Sequence, residues 1–435
     1  MDALAALSPR SSGTSSSTCQ LPTPLVPSTS ELFPTSLRSR VTNRGPPNVV
    51  PTEPIAGSMD FYHVNVIVSG ALAIFSTLVV SALMWRHATN MSRPREQIYV
   101  IRICLLLPIF AIVLWVGVYI PQAYVYVYSV IVICEPVTLT CFYLFICETL
   151  AAPVTTSTAE TSPSPPPTPS LRSVFLSPVV TRARLLGTPI TANRVFPLFR
   201  RSWIGVAQNI PVSWAVAIAT IVTEAKGVYC LTAHDVHHAH IFLLVFKTAS
   251  TFTALLAVLR TTLPVRQEVR RHRAVTKLWA FKALIFFQVA QDFVFSIINS
   301  KAPKSLTESK TISQVDFITG LPSLIVEIEL VIFAVFFHYA YSVSIYQLSN
   351  EQKRAGEQYT NYGWRLIYKV LDIRDVYALI RLAFRIREEV EQHAIDMEGR
   401  ETSLELRQEQ LSSSSTQDSA ERKSPSEQTS VQQVN

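Results

Sequence analysis

The chain is short of charge, short of glycine and empty of catalytic signatures. Charged residues make up 16% of its 435 positions, against about 25% in an average soluble domain. Only 12 glycines are present, and none builds a phosphate-cradling loop; GxSxG and HExxH are missing too. These absences argue against an enzyme, against an ATP-driven machine and against any bound cofactor. Cysteine is equally sparse. Of 6 residues, Cys104, Cys134, Cys141 and Cys147 fall within apolar runs, so no disulfide framework or CxxC metal pair is available. Cys19 and Cys230 alone are placed for a bridge on an oxidising side.

What the chain has in quantity is long apolar sequence. It is 49% hydrophobic with a mean hydropathy of +0.27, and the apolar residues are concentrated in its middle. A bilayer span needs about 20 of them in succession. Segments 62–85, 98–120, 123–147, 203–222, 240–259, 279–299 and 318–341 qualify. Barrel strands would be shorter and would alternate apolar with polar, which these do not. The expected fold is an all-α polytopic membrane protein with seven transmembrane helices. Lys and Arg crowd the loops after the first, third and fifth spans, as in "TRARLLGTPITANRVFPLFRR". That bias places the N-terminus outside or in a lumen and the C-terminus in the cytosol. The net charge of +7 therefore sits beside anionic lipid, and nucleic acid is not its partner.

Composition divides the chain further. Residues 1–61 are Ser-, Thr- and Pro-rich, without the apolar core of a cleavable signal, and read as a disordered tail before a seven-helix domain at 62–341. Within that domain, 149–202 holds "TSPSPPPTPS" and reads as a flexible cytosolic linker. A cytosolic segment follows at 342–399, and 400–435 reads as a disordered tail. Residues 365–390 place Leu366, Val370, Ile373, Val376 or Tyr377, Ile380 and Phe384 at helical spacing among charges. This predicts an amphipathic helix on the membrane surface, packed under the bundle, or bound to a cytosolic partner at 364–390. "WRLI" and "YALI" there have the form of short docking ligands.

The apolar runs contain isolated polar residues. "LIVEIELVIFAVFF" carries Glu327 and Glu329, and a carboxylate in hydrocarbon costs several kcal/mol unless paired or wetted. At 1.5 Å per residue, Glu135 lies about 18 Å from the outer end of its span, Lys247 and Asp292 about 10 Å in, and Glu329 about 16 Å. Gln288, Asp292 and Asn299 fall within about 40° on one helix face, joined in that span by Gln291. Arg102 and Lys282 lie nearer the cytosol. One reading is a polar cavity for an amphipathic solute or a proton; the other is a set of buried pairs that fix helix register. Pro108, Pro136, Pro211 and Pro322 permit kinks in or beside spans. His234, His237, His238 and His240 form a weak metal or pH-sensing candidate on the outer side. Asn90 in "NMS" falls on the cytosolic side, where it would not be glycosylated.

Several of these residues also form a recognisable series. Glu96, Gln97, Arg102 and Pro108 stand in "RPREQIYVIRICLLLPIFA", Glu135 in "ICEPVTLTCFYLF", and Gly205 and Gln208 in "RSWIGVAQNIPV". Lys277, Lys282 and Gln291 stand in "KLWAFKALIFFQVAQ", and Glu329 in "IELVIFAVFFHYAY". In order and spacing the series resembles the organic solute transporter alpha-subunit family, with the transmembrane protein 184 relatives, over about 62–385. The chain departs from the family's pattern at Pro136 and Asp292 and in the proline-rich insert after the third span. The resemblance implies transport of steroid-like or other amphipathic organic solutes, facilitated or proton-linked, beside a small single-span partner subunit; relatives occupy both vacuolar and plasma membranes, and an endomembrane of vacuolar or lysosomal type is the expected location. It also favours Glu329 as the inward-facing carboxylate. Under it, Lys247 meets an anionic group, Glu135, Asp292 and Glu329 balance charge or carry protons, and Gln288, Gln291 and Asn299 hydrogen-bond the solute. A membrane scaffold and a seven-helix receptor are the alternatives, the latter without DRY or NPxxY.

Overall fold

The computed structural model describes residues 54–159, 171–187, 195–229, 239–267, 274–301, 311–313, 315–354 and 358–381. Among them every regular element longer than an isolated bridge is helical. Helix α1 (Phe61–Thr89) begins at Asp60, whose side chain accepts from the His63 N–H, so one of the first turn's unpaired donors is satisfied. Helix α2 (Pro94–Tyr119) opens on a proline, which has no N–H to leave unpaired there. A 3₁₀ turn at Pro121–Ala123 then reverses the chain into α3 (Tyr124–Ala159). Gly117 makes that reversal fit: a Cβ at this position would lie 2.8 Å from the Tyr124 ring.

The further helices are α4 (Leu171–Leu186), α5 (Val195–Ala207), α6 (Asn209–Ala225), α7 (Ala239–Thr262), α8 (Ala274–Lys301), α9 (Leu321–Ala340) and α10 (Arg365–Leu371), with a short turn of helix at Asn350–Arg354 between the last two. Six stretches are long and apolar enough to cross a bilayer: Phe61–Thr89, Pro94–Tyr119, Pro121–Ala151, Leu198–Ala225, Ala239–Val265 and Asp316–Tyr346. They coincide with six of the seven expected spans. The other, 279–299, lies inside α8, a helix of 28 residues whose side chains are described only in part.

The bundle is apolar outside and mixed within. Ile74, Leu78, Phe252, Phe293 and Ile332 are all at least 60% exposed, a surface that water would not tolerate over this extent and lipid does. The inward face of α1 instead presents Asn65, Ser69, Ala73 and Ser76, small side chains that let helices approach closely. In the most apolar window of each span, α3 is 78% buried and α1 28%, so α3 is central and α1 lies at the rim. Helix α3 packs on α2, α4 and α6, α9 packs on α1, α2 and α8, and α5 packs on α7. Asn65 lies against Gly320, and the His338 and His87 rings sit 2.8 Å from the carbonyls of Val79 and Tyr341. Helices α1 and α9 therefore run in the same direction.

The region read as a flexible linker contains ordered structure. Within 149–202, α3 continues to Ala159, and α4 buries Val174, Leu176, Val179 and Val180 in the common core. Ser177 donates to the Cys147 carbonyl at 2.6 Å. Residues 160–170 and 188–194 lie outside the described residues, as do most of the two tails.

The single helix expected over 365–390 is interrupted. Helix α10 ends at Leu371, and helix resumes over 374–381, beyond which the chain lies outside the described residues. The break is held by Arg102 of α2. Its guanidinium donates to the carbonyls of Val370 at 2.8 Å, Lys369 at 2.9 Å and Asp372, and to Asp375 Oδ2 at 2.7 Å. A cation at the C-terminal end of α10 meets the negative pole of that helix and its orphan carbonyls together. Val376 and Leu379 enter the core, while Trp364, Ile367, Tyr368, Leu371 and Tyr377 remain exposed. The segment is thus packed under the bundle on one face and leaves an apolar face open on the other. Arg374 binds the half-buried Asp372 carboxylate at 2.6 Å and holds its pKa down at about 2.

Candidate functional site: a polar cavity between the helices

The polar residues of the spans separate into two groups, one around a cavity and one at the opposite end of the bundle. A cavity of about 140 Å³ lies between α2, α3, α6, α7, α8 and α9. Tyr128 and Lys247 form its polar centre. Lys247 of α7 pairs with Glu135 of α3 at 3.8 Å and sits 5.5 Å from the centre of the Tyr128 ring. Gln288 of α8 donates to the Tyr128 hydroxyl at 3.2 Å. One turn on, Gln291 donates to Glu329 Oε1 of α9 at 2.5 Å. The spacing explains the alignment: 288 and 291 share a face of α8, so one helix presents two amides to two neighbours. His240 also lines the cavity, with its ring 5.1 Å from that of Tyr229. At the α9 end, a π-helical turn at Asp316–Gly320 precedes Pro322 and Ser323, both in the cavity wall.

The other expected residues fall elsewhere. Asp292 and Asn299 lie on α8 with Lys282, and their side chains lie outside the described residues, so the predicted stripe is seen only through Gln288. His234, His237 and His238 also lie outside them; among the described residues no group of His, Cys, Asp and Glu could hold a metal. Lys277 is fully buried, with its ammonium 4.5 Å from the Phe145 ring centre and 5.4 Å from that of Tyr346. The Tyr346 ring also lies against His87, which Gln97 approaches, and Gln97 donates to the Asn90 carbonyl at 2.8 Å. Arg102 holds the C-terminal segment, and Pro108 is buried inside α2. Arg102, Pro108 and Lys277 thus lie away from the cavity and brace the inner end of the bundle.

Glu135 and Lys247 were expected to share a leaflet and are in contact. Glu329 was expected to be the inward-facing carboxylate, and its partner is Gln291. The carboxylate that faces fully inward is Glu327, 0% exposed, with neither oxygen hydrogen-bonded. The spacing Ser323, Glu327, Leu330, Ala334 and Phe337 marks that buried face, but every face of α9 is apolar enough to compete for it.

Sequence reasoning gave little weight to the joint between α5 and α6. Gln208 breaks the helix there, and Ser250 of α7 donates to Gln208 Oε1 at 3.3 Å and Asn209 Oδ1 at 2.9 Å. A Cβ on Gly205 would stand 3.1 Å from the Ala257 Cβ. Gly205→Val overfills this contact and should destabilise the bundle by about 1–3 kcal/mol, read as a lower unfolding midpoint in detergent; an unchanged midpoint would show that α5 and α7 can part without cost.

Six apolar crossings, five of which line a cavity beside a buried ion pair, define a multi-pass integral membrane protein with a polar interior site. The family model for the organic solute transporter Ostalpha matches residues 65–346, more than half of the chain, and the chain belongs to that family. It is a family of membrane solute transporters, not of enzymes. Neither the curated proteins nor the solved structures compared with the chain contain a match.

Proposed function

We propose that the chain moves amphipathic organic solutes of steroid-like character through this cavity, by facilitated or proton-linked movement. The observation that carries the reading is the Lys247–Tyr128–Gln288 cluster lining the cavity, with Glu135 paired to Lys247 beside it, in a solute-transporter family member. A cation on an aromatic face, ringed by amides and apolar walls, suits a solute with one anionic group and a hydrophobic body. In this reading the solute's anion takes the place of Glu135 at Lys247. Gln288, Gln291 and Asn299 hydrogen-bond it, and Asp292 and Glu329 balance charge or carry protons.

At about 140 Å³ the cavity is below the roughly 300–1,000 Å³ of drug-sized sites. Steroid-like cargo therefore requires the helices to part, and the joint at Gln208 and the π turn at Asp316–Gly320 are breaks at which they can.

We read seven spans, with the N-terminus outside and the C-terminus cytosolic. The parallel course of α1 and α9 supports an odd number of crossings and hence a crossing by α8, and the Lys/Arg bias supports the orientation. An endomembrane location and a small single-span partner subunit complete the reading. The exposed face of Trp364, Ile367, Tyr368 and Tyr377 is the surface offered to the cytosolic headgroups or to a cytosolic partner at 364–390.

The test is uptake of labelled sterol conjugates by proteoliposomes containing the full chain, with neutral sterols for comparison. Saturable uptake favouring the anionic conjugates is expected. Uptake no faster than in protein-free vesicles for every conjugate overturns the reading.

A further inference from the structure

Glu327 occupies the middle of α9, with both carboxyl oxygens unpartnered. It is not alone in this. On the facing helix α1, Asn65 Nδ2 and Thr77 Oγ1 are also buried without a hydrogen-bond partner. Two contacts join α1 to the α9 end of the chain: Asn65 against Gly320 on one side and Val79 against His338 on the other. Ser69, Ser76 and Thr77 of α1 and Glu327 of α9 all lie between them in sequence. Ser69 donates to Asn65 Oδ1 and Ser76 to the Ala73 carbonyl, so this stretch of the two parallel helices is left with Asn65 Nδ2, Thr77 Oγ1 and Glu327 unpartnered, where apolar side chains would pack without cost. Ser323, one turn before Glu327 on the same face, and Val326 both line the cavity, so Glu327 stands directly behind the cavity wall.

Among the described residues no charged side chain pairs with it; the side chains of Lys282 and Asp292 on α8 lie outside them. The elements packed on α9 are α1, α2, α8 and the π turn. Helix α1 carries Asn65, Ser69, Ser76 and Thr77 over this stretch, none of them charged, with His87 at its far end. Helix α2 contributes Leu107, Phe110, Ala111 and Leu114, its Arg102 being engaged with the C-terminal segment. The described polar side chains of α8 nearest this level are Gln288 and Gln291, with Lys277 at the inner end among aromatic rings. The π turn holds Asp316, bound by Ser313 at 2.6 Å, and His338 lies at the other end of α9. An ionised carboxylate set among these residues costs several kcal/mol, and a neutral carboxylic acid does not.

We propose that Glu327 is a proton-binding carboxyl in the α1–α9 seam, loaded from the cavity, and that its protonation is the proton-linked step of solute movement. The step is balanced simply: the carboxylate takes one proton from cavity water and becomes an uncharged acid, and returns it on deprotonation. Loading removes the one uncompensated charge in the seam and so favours close packing of α9 on α1. Unloading draws water to the carboxylate and loosens that packing on the wall that bears Ser323 and Pro322. This inference rests on the transport reading above for its second half alone.

Two measurements separate the halves. Dicyclohexylcarbodiimide modifies carboxylic acids in apolar surroundings and spares carboxylates. In the full reconstituted chain it should label the peptide containing Glu327, with labelling that falls as the pH is raised and disappears in Glu327→Gln. Uptake of a labelled sterol sulfate should respond to an imposed pH gradient in the wild type and in Glu327→Asp, and lose that response in Glu327→Gln while gradient-free exchange persists. Absence of labelling at every pH, or labelling indifferent to pH, overturns the proton site. A gradient response retained by a well-folded Glu327→Gln overturns the coupling. Wild-type protein that labels in the expected way yet takes up no sterol sulfate supports the proton site and counts against the transport reading instead.

Discussion

Arg102→Ala will release residues 365–381 from the bundle and lower its stability by about 3–5 kcal/mol, the cost of removing one member of a buried, hydrogen-bonded charge pair. The guanidinium donates to three carbonyls at and just beyond the end of α10 and to Asp375, and alanine leaves all four acceptors without their donor. The unfolding midpoint in detergent should fall, and trypsin should cut at Lys369 or Arg374 under conditions in which the wild type resists. Arg102→Lys should recover only part of the loss, because a single ammonium cannot span acceptors that a planar fork reaches together. An unchanged midpoint with unchanged cleavage would show that Val376 and Leu379 anchor the segment unaided. The outcome also bears on function, since Arg102 lies away from the cavity: a loss of uptake after this change would mark the C-terminal segment as part of the moving structure.

Lys247→Met should abolish uptake of anionic sterol conjugates and destabilise the bundle by about 3–5 kcal/mol. It strands Glu135, whose side chain is 5% exposed, beside an apolar neighbour. The informative comparison is the double variant Glu135→Gln with Lys247→Met. With both charges gone, the burial penalty disappears from each side, and the unfolding midpoint should return close to that of the wild type. Uptake should not return, because the cation that meets the solute's anion is still missing. Recovery of uptake together with stability would reduce the pair to a fastener between α3 and α7 and remove Lys247 from the solute path. Failure to recover either would show that the Tyr128 contact, 5.5 Å from the ammonium, depends on the charge for its geometry.

The two pairs were not equally legible in advance. Glu135 and Lys247 stand out in any reading of the spans, because charges are rare there, and helical rise alone placed both between mid-bilayer and the outer side. Their pairing is a short step from that. The partner of Arg102 was not visible: Asp375 lies 273 positions away, beyond four further apolar crossings, and nothing local marks a carboxylate in a charged amphipathic segment as the one that turns inward. The same segment shows how periodicity overreaches. Its apolar spacing continues through Asp372 and Ile373, yet α10 ends there because Arg102 satisfies the terminal carbonyls that another helical turn would have used. The linker erred in the other direction. Proline and serine in 149–202 conceal Val174, Leu176, Val179 and Val180, whose helix packs against the core despite Pro178 within it.

Glu327 and Glu329 divide the two kinds of information most clearly. The sequence by itself determined that this is a helical membrane protein, where six of its crossings lie, and that a few polar residues must be accommodated among them. Length and hydropathy suffice for that, because a bilayer demands a run of apolar residues whatever its neighbours are. It also carried the family, through motif residues whose order survives reading in one dimension. Which of two carboxylates, about 200° apart on one helix, faces the interior was decided only by tertiary structure. In a soluble helix the polar side declares itself against water. In α9 every side is apolar, lipid and protein interior are alike to a leucine, and only the packing of α1, α2 and α8 determines that Glu327 is enclosed while Glu329 meets Gln291.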